Sequence, residues 1–155
     1  TRGQYLAQML EWLEGTVTGD EFCKIFSDIF TLNHDVIDLL PQLKEHYTLC
    51  LLSNTNEIHK EYGYQHHSFL IYFDKLFLSH EVGAIKPEET IYRAVEKFTL
   101  KPSSEHLFID DIQEYVEGAK ACGWVMSLRK EIFCSIIFNS SLQSIFSRYP
   151  ADTRL

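Results

Sequence analysis

The spacing of apolar residues changes period near residue 47. Before it, Leu6, Met9, Leu10 and Leu13 recur at helical intervals up to Gly15. Phe22, Ile25, Phe26, Ile29 and Phe30 then follow the segment Thr18-Gly-Asp-Glu21, a capping-box pattern that predicts a second amphipathic helix. A third helical stretch is expected from Asn33, an N-cap residue, through Val36, Leu39, Leu40 and Leu43, with Pro41 kinking it or ending it early. From there, short continuous apolar runs at 47–52, 76–78 and 107–109 read as strands covered on both faces. Helical segments are predicted from about residue 57, over 87–98 with Pro87 in the first turn, and over 113–122. Strands alternating with helices predict parallel βαβ units and a doubly wound, Rossmann-like α/β sheet. Either 124–128 or 135–138 is expected to supply the last strand.

Composition narrows the function classes. The 155 residues carry a net charge of −8, which argues against a partner made of phosphate backbone, since nucleic-acid binders gather Lys and Arg. No run approaches the ~20 apolar residues of a membrane span, and no signal peptide is visible. Cys23, Cys50, Cys122 and Cys134 are scattered without a CxxC pair, so reduced core thiols and a cytoplasmic location are expected. His59, His66 and His67 read as a solvent-facing helix and loop, because a metal cluster needs ligands from more than one element. Phe69, Tyr72, Phe73, Phe77 and Trp124 read as core.

Three polar segments stand at predicted strand ends, where open α/β sheets bind ligands. Ser53-Asn54 offers a hydroxyl and backbone N–H groups that could hold an anionic oxygen; taken alone such a segment is usually just a turn and helix cap. Lys86, directly before Pro87, could neutralise a phosphate or carboxylate, or be a solvated surface lysine. Asp110-Asp111 could be a surface cap. As adjacent anions at a buried strand end, they also suit Mg²⁺, which takes one or two carboxylates plus water and substrate phosphate and offsets their repulsion.

In this order and spacing, LCLLSNTN, HEVGAIKPEETIY and HLFIDDIQEYVEGAKACGW resemble motifs two, three and four of the haloacid dehalogenase-like (HAD) hydrolase superfamily. The resemblance implies a HAD core over 33–155, with 1–32 the remnant of a small helical cap. It implies phosphate binding by Ser53, Asn54 and Lys86, with Lys86 also catalytic through charge screening. Mg²⁺ would be held by Asp110 and Asp111, with Asp111 the inner ligand. It further implies a phosphohydrolase acting on small phosphorylated metabolites; the acidic pair favours this over a dehalogenase of the same fold.

The sequence departs from the family pattern in two ways. The family's aspartate nucleophile, at the end of its first and central strand, has no counterpart before the cap helices. Asp20, Asp35 and Asp38 are no substitutes, so an N-terminally shortened, inactive chain, or a non-catalytic binding or assembly module, is expected. Without that strand, the strands ending at Ser53 and Asp110 are expected either to close up or to have the gap filled by self-association or an N-terminal piece. In the fourth motif, Tyr115 stands where an Asn is common and Ile112 is apolar, which weakens the expected support of the metal site.

Overall fold

The computed structural model describes residues 1–128 and the backbone of 135–139. Two helices open the chain, α1 (Arg2–Trp12) and α2 (Gly19–Ser27). The predicted capping box forms: Glu21 N–H donates to Thr18 Oγ1 at 3.3 Å, and Thr18 N–H donates to the Glu21 carboxylate at 2.8 Å. The third helical stretch divides at Asp38-Leu39, ahead of Pro41, into α3 (His34–Ile37), capped by Asn33, and α4 (Leu40–Lys44), with the proline in its first turn.

Strand β1 (Thr48–Ser53) follows, then a wide π-helical turn (His59–Tyr64), a 3₁₀ turn (Ser68–Tyr72) and β2 (Lys75–Leu78). The short α5 (Ser79–Val82) ends at Gly83 in the left-handed region (φ 77°), a conformation suited to glycine. Helix α6 (Glu89–Thr99) begins later than predicted: Glu88 is its N-cap, so Pro87 lies ahead of the helix, not in its first turn. Strand β3 (His106–Asp110), helix α7 (Gln113–Ala121), β4 (Val125–Leu128) and β5 (Ser135–Asn139) complete the order.

The sheet runs β2-β1-β5-β3-β4. Pairs β1–β2 and β3–β4 are parallel, whereas β5 is antiparallel to both β1 and β3. Strands β1 and β3 therefore point the same way, with Ser53 and Asp110 at their carboxyl ends. Both candidate last strands exist, and they occupy different places: 125–128 at the edge, 135–139 in the centre. The two flanking strands do not close up on each other, because the chain's own β5 lies between them. Its Ile137 stands opposite Cys50 on one side and Phe108 on the other.

The alternation of a covered sheet sorts the core onto both faces. Cys50, Leu52, Phe77 and Phe108 pack with Ile91, Tyr92 and Val95 of α6 and Val116 and Ala119 of α7. Leu49 and Leu107 pack on the other face with Leu40 and, half-buried, Val36, Phe69, Tyr72 and Phe73. These aromatics, with the buried Phe77 and Trp124, are core as expected. Cys23, Cys50 and Cys122 are buried free thiols, and burial pushes the Cys50 thiol up to about 12. His59 is not the solvent-facing residue the sequence suggested, since its ring stacks on Phe26 at 4.4 Å and meets the edge of Phe30.

His106 is fully buried at the base of β3 and stacks on Trp124 with ring centres 4.7 Å apart. Its Nδ1 lies 3.0 Å from the Pro102 carbonyl, which can only accept, so Nδ1 carries the proton and Nε2 accepts from the Thr99 hydroxyl at 2.8 Å. Burial holds its pKa below the ordinary 6.5, and burial does the same to His59. A histidine kept neutral in the fold stabilises above the unfolded-state value and loses that contribution as pH falls through it. Urea unfolding is therefore expected to show stability declining from pH 7 towards pH 5, with a shallower decline in His106→Asn. An unchanged slope in that variant would show that His106 is not held neutral.

Candidate active site

The three polar segments meet at the carboxyl edge of the sheet, tied together by side chains. Ser79 at the end of β2 holds the tip of β1: Thr55 N–H donates to its hydroxyl at 2.9 Å, and that hydroxyl donates to the Thr55 carbonyl at 2.8 Å. Beside it, the Asn54 side chain grips the backbone of Lys86 at two points. Lys86 N–H donates to Asn54 Oδ1 at 2.7 Å, and Asn54 Nδ2 donates to the Lys86 carbonyl at 3.0 Å. The amide thus acts as a short piece of strand, fixing the loop after Gly83 against the β1 tip.

The Lys86 side chain turns inward. Its Nζ donates to Asp110 Oδ2 at 2.9 Å, and the two side chains are only 6% and 3% exposed. Asp110 Oδ1 accepts the backbone N–H of Ile112 at 2.8 Å, so each carboxylate oxygen has a donor. A buried charge pair is tolerable only with such complete hydrogen bonding. Tyr115, on α7, also meets Lys86: Nζ sits 4.6 Å from its ring centre, and its hydroxyl accepts from Asn54 Nδ2 at 3.2 Å.

Asp111 differs from its neighbour. It is exposed, yet desolvation by the surrounding protein, and then the negative charge of Asp110, raises its pKa above the ordinary carboxylate value. Lys86 works in the opposite direction. Asp111 is thus a carboxylate whose charge is incompletely offset, at the rim of a buried ion pair. That donor chemistry fits a hard divalent cation completed by water and a phosphate oxygen. Among the described residues, no group of three or more His, Cys, Asp or Glu side chains could hold a metal ion.

Asn54, Lys86, Asp110 and Asp111 are therefore brought together. No described hydrogen bond ties the Ser53 side chain to these four; Ser53 lines a cavity of about 100 Å³ with Phe30, Leu32, Val36, Leu51 and Phe73. Sequence reasoning missed Gly118. A Cβ there would lie 2.7 Å from Pro87 Cβ and 3.0 Å from the Pro87 carbonyl oxygen, so only a glycine lets α7 approach the Lys86-Pro87 segment this closely. It also missed the tie from Tyr115 to Asn54, since neither contact has a signature in local spacing.

Residues 16–127 match the family description "Haloacid dehalogenase-like hydrolase". The chain belongs to this family. Among HAD relatives, it is 28% identical over 135 aligned residues to D-ribitol-5-phosphate phosphatase of Bacteroides thetaiotaomicron, with 72% of this chain and 66% of the relative covered. The match thus spans a little under two thirds of that relative's length. A HAD family enzyme of the same organism, solved with magnesium and inorganic phosphate, superposes with a TM-score of 0.76 at 27% identity, covering 86% of this chain and 72% of that one. A HAD-like hydrolase of Porphyromonas gingivalis, 20% identical, shares the fold with a TM-score of 0.72 over 96% of this chain and 72% of its own.

Proposed function

We propose that this HAD site binds a small phosphorylated metabolite together with Mg²⁺, in the manner of a phosphohydrolase, and that these 155 residues alone do not turn it over. The observation that carries the reading is the buried Lys86–Asp110 pair clamped by Asn54. It sets a fixed positive charge and a carboxylate-lined rim at one strand edge. Ser53 and Asn54 with their backbone, and Lys86, would hold the phosphate. Asp111 would be the inner Mg²⁺ ligand and Asp110 its support. Bound there, Mg²⁺ would neutralise charge on the phosphate oxygens.

The case against turnover rests on the sheet centre. Because β5 runs antiparallel to β1 and β3, the end it brings beside Leu52 is its amino end, at Ser135. A central parallel strand would instead present a carboxyl-end residue there. Among the described residues, the aspartates at this edge are Asp110, engaged by Lys86, and its neighbour Asp111. Asp74, beside β1, accepts from Leu49 N–H and pairs with Lys44 towards the opposite end of the strand. Among the described residues, no further aspartate stands at this edge to attack phosphorus and form an aspartyl-phosphate.

Residues 1–32 would be part of a helical cap. Buried free thiols support a cytoplasmic setting, and among the described residues no helix is long and apolar enough to cross a membrane.

Calorimetry with inorganic phosphate tests the reading. Binding is expected in the presence of Mg²⁺ and at least tenfold weaker in Asp111→Asn, while para-nitrophenyl phosphate stays intact with either protein. Binding that ignores Mg²⁺ and Asp111 would contradict the site assignment, and turnover of the ester would contradict the argument from β5.

A further inference from the structure

We infer that Tyr115 is a positioning residue of this site, acting through Lys86 and Asn54; the inference rests on the phosphate-site reading above. A lysine ammonium on a flexible four-carbon stem loses considerable rotamer freedom when it is fixed in one place. Here an acceptor and aromatic rings confine it, with the Phe108 ring centre 5.9 Å from Nζ and the Tyr115 ring nearer. Asp110 Oδ2 accepts one N–H at 2.9 Å, and the face of the Tyr115 ring lies 4.6 Å from Nζ. That distance is within the range of cation–π attraction, which is strongest where water is excluded, and Lys86 is 6% exposed.

The same residue also orients the amide that holds the Lys86 backbone. Lys86 N–H can only donate, so the Asn54 oxygen must face it, and Nδ2 then faces both the Lys86 carbonyl and the Tyr115 hydroxyl. One aromatic side chain thereby restrains the phosphate-side amide and the cationic head together.

Tyr115 is itself held from below. Its backbone carbonyl accepts the hydroxyl of the buried Tyr92 at 2.7 Å, which anchors this turn of α7 to α6. Gly118, one turn further on, admits the close approach of the Pro87 segment that brings Lys86 under the ring. Where the family pattern has an amide, this chain has a group that works by ring face and hydroxyl. The two contributions can be separated by substitution.

The test uses isotope-labelled protein with Tyr115→Phe and Tyr115→Leu. In the wild type, the Lys86 side-chain methylene protons next to Nζ are expected to be shifted upfield by the ring. Tyr115→Phe should keep that shift while moving the Asn54 side-chain amide signals, and should weaken Mg²⁺-dependent binding of inorganic phosphate about threefold. Tyr115→Leu should lose the Lys86 shift as well and weaken phosphate about tenfold. If the leucine variant fails to fold, the Asn54 signals and phosphate affinity of the phenylalanine variant decide alone. Lys86 and Asn54 signals unchanged by either substitution would overturn the inference, as would altered signals with phosphate affinity unchanged. A wild type that shows the shifts yet binds no phosphate would overturn the functional reading while the tether itself stands.

Discussion

Lys86→Met is expected to lower the unfolding free energy by about 3–5 kcal/mol, the cost of leaving a buried carboxylate without its cation. The size of the effect follows from burial: neither Lys86 nor Asp110 has water to fall back on, at 6% and 3% exposure. Methionine fills nearly the same volume along the lysine stem, so lost packing contributes little. Adding Asp110→Asn to that background should recover a large part of the loss. An asparagine carries no charge, and its oxygen can still accept from Ile112 N–H as Asp110 Oδ1 does at 2.8 Å. Urea unfolding of the two single variants and the double variant measures the coupling directly. Equal losses for the single and double variants, or a loss below about 1 kcal/mol for Lys86→Met, would show that the pair behaves as a solvated surface ion pair.

The second large effect is expected in β5. Ile137→Pro should abolish the cooperative unfolding transition and promote self-association. The residue sits mid-strand, paired with Cys50 on one side and Phe108 on the other. Proline removes a ladder N–H and its ring does not fit a strand bonded on both sides, which is why it is confined to sheet edges and bulges. Loss of β5 would uncover two inner edges at once, those of β1 and β3, and unpaired edges recruit other strands. Amide exchange at Leu51 and Phe108 should accelerate in parallel. A variant that melts with the wild-type midpoint would show that β5 does not hold the sheet together.

These two effects mark what could and could not be read from the residues. The segments bearing Asn54, Lys86 and Asp110 are legible because Asn54 and Asp110 close short apolar runs, and because the three segments together match a known order. Their convergence at one edge follows from parallel topology. The place of β5 was not legible. "SIIFN" reads as a strand, but whether it sits at an edge or in the centre depends on which long-range slot is vacant, and local pattern does not encode that. The start of α6 was missed by two residues because Pro87 suits both a first helical turn and the loop that precedes one. The π-turn at His59–Tyr64 differs from the helix predicted there, because apolar spacing does not distinguish a wide turn from an α-helical one. His59, taken for a surface residue, is covered by Phe26 and Phe30, aromatics that belong to the chain's opening third.

Gly118 and Tyr115 are a further case. Each has a role that exists only once α7 is laid against the Lys86-Pro87 segment. Gly118 is required by a distance of 2.7 Å to Pro87, and Tyr115 by its reach to Lys86 and Asn54 across separate loops. Side chains that act between elements leave no periodic trace in the sequence of either one.

The most direct measurement of the central claim replaces Mg²⁺ with paramagnetic Mn²⁺ in the presence of inorganic phosphate and follows the broadening of assigned amide signals. The account predicts that Asn54, Lys86, Asp111 and Ile112 disappear first and together, and that Asp111→Asn protects them all. Broadening centred on other acidic surface, such as Glu57 and Glu61, with these four residues untouched, would contradict it.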